Sequence, residues 1–131
     1  MRISTGVAAI DQLDLECVIQ KMMKVDTFPS PYRGWDEDFA RKVSELYKSF
    51  LFLIYKYRCT KIPLVPTREI DEFWHTHILF TKKYFEDCHN IFGEYIHHNP
   101  AEDDSGNGTG IDAFEYTRFL ISKEFPELAD K

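Results

Sequence analysis

Apolar residues recur at intervals of three and four along most of this chain, the spacing that gives a helix one apolar face. The strongest run is Phe39, Val43, Leu46, Tyr47, Phe50, Leu51, Ile54 and Tyr55. Asp36 stands where an N-cap belongs, so the pattern predicts a helix from there to about residue 57, the longest of the chain and the spine of its core. Two prolines and a glycine make 28–34 a loop, and Pro63 and Pro66 forbid helix in the connector 59–66. Upstream, Ile10, Leu13, Leu15, Val18, Ile19, Met22 and Met23 predict helix from about Asp11 to Lys24, although Leu13-Asp14-Leu15 also fits a short extended piece. Residues 1–6 are expected to fray.

Between Pro66 and Pro100 the pattern predicts two helices in close succession. Thr67 is placed to N-cap the first and Thr81 the second, and Gly93 suits the position just past the second helix. The first helix gathers Ile70, Phe73, Trp74 and Ile78 on one face, with His77 in its middle; the second gathers Tyr84, Phe85, Cys88 and Phe92. Helices joined this tightly pack against each other, so His77 and Cys88 are presented to one interior. The stretch 101–110, AEDDSGNGTG, reads as a flexible surface loop. Read as a calcium loop from Asp103, it places Phe114 where the bidentate Glu is required, and the reading fails. A final helix opens with the capping box Asp112-x-x-Glu115, continues through Phe114, Thr117, Leu120 and Ile121, and stops at Pro126. The expected fold is all-α: residues 1–131 as a single-domain bundle of about five helices, with a core unit over about 35–98 and a loop over about 99–110.

Composition narrows the partners. With 131 residues, 44% hydrophobic and 15% aromatic, the chain has enough apolar material for one ordered core. A net charge of −6, from 16 basic and 22 acidic residues, disfavours nucleic acid and anionic membrane surfaces. Cys17, Cys59 and Cys88 are odd in number and widely spaced, which argues against a disulfide scaffold. Cys17 is expected to be a small buried hydrophobe. No basic segment followed by an apolar run opens the chain, and the longest apolar run, 50–55, is far too short to span a bilayer. A cytoplasmic location is the expectation.

Chemistry concentrates in 66–100, which holds all five histidines: His75, His77, His89, His97 and His98. Imidazole, thiolate and carboxylate together suit zinc. His75 and His77 are two residues apart and diverge by about 200° on a regular helix, so one ion does not take both. Asp71 and His75 are four apart and share a flank. Two ligand sets follow: Asp71, His75 and His98, or His77, Cys88 and His98. The structural reading stands beside them. A histidine in an apolar face is often a core residue bonded to internal partners, which fits His77. Trp74 reads as core and His89 as solvent-facing. A nucleophilic Cys88 with His77 or His75 as base is conceivable, but a thiol centred in an apolar face is inert.

Ile70-Asp-Glu-Phe-Trp-His-Thr-His-Ile-Leu, followed by Tyr84, Cys88, Phe92-Gly93 and His97-His98, resembles the glycine-rich domain-containing protein-like family, a domain of unknown function. Asp71, Trp74, His75, His77, Gly93 and His98 match its D-x-x-W-H-x-H and G-x-x-(I/L)-x-H elements position by position. Tyr47, Phe50-Leu51 and Val65-Pro66-Thr67 extend the similarity to roughly 35–98. The chain looks like the short bacterial form, without the glycine-rich tail or RNA-recognition extensions of the plant members, so those functions do not carry over. Asn99-Pro100 replaces an acidic pair found in many relatives. The resemblance implies a common helical domain and supplies no established reaction. Two functions remain in view. One is a non-enzymatic, protein-binding helical module with a structural or metal-binding polar core, and the acidic Asp103-Asp104 loop favours a protein partner. The other is a small metal-dependent hydrolase using the same His/Asp cluster.

Overall fold

Six helices account for most of the residues that the structure, a computed structural model, describes: 5–24, 34–57, 64–98 and 113–125, with side chains described from residue 8 and, in the last segment, from 115. They are α1 (Thr5–Asp11), α2 (Glu16–Met23), α3 (Glu37–Tyr57), α4 (Arg68–Leu79), α5 (Thr81–Phe92) and α6 (Ala113–Glu124). No strand occurs among the described residues, and the chain is an all-α bundle. The loop at 99–110 and the capping residue Asp112 lie outside the described residues.

The helix predicted from about Asp11 begins only at Glu16, as α2, and a separate short helix, α1, precedes it. Helix α1 already includes Thr5 and Gly6, which were expected to fray, and it ends at Asp11. At the break the Asp14 carboxylate accepts from the Glu16 amide (3.0 Å), and Leu13 and Leu15 both turn inward. The Leu-Asp-Leu alternation therefore marks a non-helical link between two short helices. Helix α2 buries Val18, Ile19 and Met22. Cys17 falls off that face and is exposed, contrary to expectation.

Helix α3 is the spine. The Asp36 carboxylate accepts from the Phe39 amide (2.8 Å), as an N-cap should, and the helix buries Ala40, Val43, Tyr47, Phe50, Leu51 and Leu53. Helices α1, α2, α4 and α6 all pack on it. The main core joins α1 to α5 through Ile10, Met22, Phe50, Phe73, Tyr84 and Ile91. A smaller cluster of Leu53, Leu120 and Ile121 seats α6. Polar bonds fix that seat: Lys56 and Tyr57 both donate to Glu124 (2.8 and 2.7 Å), and the Val65 amide donates to Thr117 (2.8 Å).

Helices α4 and α5 position the histidines. Thr67 caps α4 by accepting from the Ile70 amide (3.2 Å). Thr67→Ala should lower the unfolding free energy by about 1 kcal/mol; urea melts superimposable on wild type would mean that this bond contributes nothing. Thr81 is not a cap. It is the first residue of α5, and Phe80 both closes α4 and opens α5 with no side-chain cap bond. A single junction residue leaves no room for a separate cap, and α5 packs directly against α4. Gly93 ends α5 in the left-handed region (φ 76°), and an added Cβ there would meet nothing within 4 Å. The glycine is thus required by its backbone angle and not by crowding. Residues 94–98 then run back across α4.

Candidate functional site

Two polar networks grow from α4, one centred on His77 and one running through Trp74. The inner one is centred on His77, whose residue exposure is 1%. Tyr47, fully buried on α3, lies 2.7 Å from Nδ1, and the Asp87 carboxylate on α5 lies 2.9 Å from Nε2. A carboxylate only accepts, so Nε2 carries the proton and donates to Asp87, while Nδ1 accepts from the Tyr47 hydroxyl. Lys83, one turn before Asp87, donates to the same carboxylate oxygen (3.1 Å). The order is Tyr47, His77, Asp87, Lys83, from the core outward. Asp87 opens onto a cleft of about 370 Å³ between α1 and α5, lined also by Gln12, Asp14 and Asn90.

Burial governs how this network titrates. It pushes His77 below the usual imidazole range, more strongly than the bond to Asp87 pulls it up. Burial also acts to raise the Asp87 carboxyl, but the bonds from His77 and Lys83 outweigh it and leave Asp87 lowered. Tyr47 is pushed well up by burial, so it stays a hydroxyl donor. The pH dependence follows. A histidine whose folded pKa lies below its unfolded value contributes stability that is complete above about pH 6.5 and is lost as pH falls toward the folded value. Asp87 adds a second loss at lower pH, below the ordinary carboxylate value of about 4. Unfolding free energy should therefore decline as pH drops from 7 to 5, and less so in His77→Gln; equal slopes for both proteins would show that His77 does not carry the effect.

The outer network crosses Trp74. Its indole Nε1 donates to the Tyr84 hydroxyl (2.9 Å), which donates to the Ile96 carbonyl (2.6 Å). This chain of bonds pins 94–98 over α4. His98 then lies on the indole, ring centres 4.2 Å apart and planes at 34°. Its Nε2 donates to the Asp71 carboxylate (2.6 Å). His75 is exposed and meets His98 edge-on, ring centres 6.2 Å apart. Beyond Tyr84 the surface is aromatic: Phe85 (52% exposed) and Tyr95 (37%) lie 6.3 Å apart, His89 stacks on Phe85 at 4.3 Å, and His97 lies against Tyr95 at 4.8 Å.

A family model described as UCP032817-like matches residues 10–113, from α1 to the first residue of α6. The chain belongs to that family. Glycine-rich domain-containing proteins 1 and 2 of Arabidopsis thaliana are each 34% identical to it over 76 residues, which is 56% of this chain and 9% and 10% of theirs. The chain thus spans about a tenth of the length of the curated relatives it matches, and the resemblance to the glycine-rich domain-containing protein-like family holds. No solved structure matches significantly.

In this UCP032817-like domain, the expected residues divide between the two networks. Asp71, His75 and His98 come together at the surface, and His77 points into the core. His77 does not face His98: both its ring nitrogens are engaged by Tyr47 and Asp87. Cys88 is buried, and burial pushes its thiol up. As their side chains stand, no three His, Cys, Asp or Glu among the described residues are grouped to hold a metal ion. His89 is exposed, as expected, with its Nδ1 3.0 Å from the Phe85 carbonyl. Phe85 departs from expectation: it faces solvent, because Tyr84, Cys88, Ile91 and Phe92 already fill the inward side of α5. No helix among the described residues is long and apolar enough to cross a membrane.

The sequence reading missed Tyr47, Asp87, Lys83, Tyr84 and Ile96 as partners. One signal was available. Lys83 and Asp87 are four apart with opposite charge, the spacing of a helical ion pair, and Asp87 precedes the inward Cys88. Tyr47 and Tyr84 gave none, because a tyrosine in an apolar stripe looks like any other core aromatic.

Proposed function

We infer that the domain is a non-enzymatic helical module that binds a protein partner, with the histidine motif built in as a structural polar core. The observation that carries the binding reading is the aromatic face formed by Phe85, His89, Tyr95 and His97. Large rings held at the surface by α5 and the returning segment form a contiguous apolar patch of the kind that partner proteins cover. The structural reading is supported by His77, whose two nitrogens are spent on internal bonds. A hydrolase drawing on His77 or Cys88 has little to recommend it: one is engaged and fully buried, and the thiol of the other is pushed up by burial.

Site-specific photo-crosslinking tests the binding reading. A photoreactive amino acid at Tyr95 should give one discrete adduct in cells, competed away by unlabelled domain and lost with Phe85→Ala. The same probe at Lys42, on the exposed side of α3, should not give that adduct. Absence of an adduct at Tyr95, or an identical pattern from Lys42, would end the reading.

A further inference from the structure

We propose that Asp71, His75 and His98 form a zinc clip that staples the returning segment 94–98 to α4. This inference stands apart from the docking reading and does not need the aromatic face to have a partner. Asp71 and His75 are one helical turn apart on the flank of α4, the spacing at which two side chains close on one ion. His98 reaches the same place from the other side of Gly93, and it arrives aimed. Its ring is held against Trp74, and Trp74 is held by Tyr84, so His98 Nε2 points at the Asp71 carboxylate 2.6 Å away.

The dimensions suit zinc after a small adjustment. Zinc bonds to nitrogen and carboxylate oxygen are about 2.0–2.2 Å, so an N and an O on one tetrahedral ion lie roughly 3.3 Å apart. Replacing the shared proton by zinc widens the 2.6 Å contact between His98 and Asp71 by less than an ångström. Two imidazoles on one zinc have ring centres roughly 5–6 Å apart, and those of His75 and His98 are at 6.2 Å. His75 would have to turn toward Asp71 and His98 to complete the set, and its exposed position leaves it room to do so. Two imidazoles with one carboxylate are a donor set that zinc takes, and the two nitrogens make it a poor site for calcium or magnesium. The fourth position faces solvent, which leaves the ion an entry path and a place for water. The ion would join α4 to 94–98 directly, and with it the segment that carries Tyr95 and His97.

The test uses the full chain, purified without a histidine tag and stripped of metal. Titration with zinc chloride in a calorimeter should show one site. Cobalt(II) in its place should give the visible absorption of a tetrahedral complex. His75→Ala, His98→Ala and Asp71→Asn should each weaken zinc binding by at least about 10-fold, the smallest loss usual even for groups that only support a ligand, whereas His89→Ala and His97→Ala, exposed histidines outside the clip, should leave it unchanged. His98→Ala also removes a stacking contact, so His75→Ala, at an exposed position, is the decisive variant. Absence of one-site binding overturns the proposal. So does zinc binding that survives His75→Ala, or that falls equally with His89→Ala, since either marks adventitious capture by surface histidines.

Discussion

Replacing His77 with alanine should cost the domain about 3–5 kcal/mol of unfolding free energy. Truncating a fully buried side chain leaves a cavity. The Tyr47 hydroxyl loses its acceptor in the interior, worth about 1–3 kcal/mol by itself. Asp87 loses the bond that helps keep it ionised and is left with Lys83 as its partner among the described residues. Three helices feel the change, because Tyr47 is on α3, His77 on α4 and Asp87 on α5. Urea denaturation followed by circular dichroism measures it. A midpoint shift equivalent to less than about 1 kcal/mol would mean that His77 is not the internal tie between these helices. His77→Gln, which keeps a polar group of similar reach, should recover part of the loss.

Trp74→Ala should have a comparable effect, about 3–5 kcal/mol, and a wider local consequence. Trp74 packs edge-on against Phe50 (5.4 Å), carries His98 on its outer face and donates to Tyr84. Its loss therefore opens the core and releases 94–98 together. Trp74→Phe separates the two roles. It keeps an aromatic ring in the core but leaves Tyr84 without its donor, and should cost about 1–2 kcal/mol. Thermal melts rank the three proteins, and hydrogen exchange at 94–98 reports the release of the segment. A Trp74→Ala protein that melts within a few degrees of wild type would show that the indole is not part of the core.

The helices were legible in the sequence wherever a stripe and a stop signal coincided. Asp36 and Thr67 cap α3 and α4 as their positions predict, and Gly93 ends α5 in the left-handed conformation. Thr81 was misread because threonine looks the same at a cap and one residue inside; only the length of the junction, a single Phe80, decides between them. The non-helical link at Leu13-Asp14-Leu15 was visible as an ambiguity, settled by the inward packing of both leucines, whereas the short helix α1 ahead of it was not legible. At the candidate site, helical spacing was enough to bring Asp71 and His75 to one flank and to send His77 inward. The partners were beyond it. Tyr47 meets His77 across 30 residues of sequence and Asp87 across 10, and no local period encodes which polar atoms of different helices face each other. Phe85 shows the opposite limit, since apolar character alone does not reveal which aromatic the core has room for.

His77 ties α3, α4 and α5 together from the inside, and its own ring tests this most directly. Nitrogen NMR of the imidazole, followed from pH 8 to 5, distinguishes the possibilities. The expected result is a neutral ring throughout the upper part of that range, protonated on Nε2 and accepting at Nδ1, with an Nε2 proton that exchanges slowly with water. A ring that titrates near the free value of about 6.5 and exchanges its proton as fast as an exposed histidine such as His89 would contradict it.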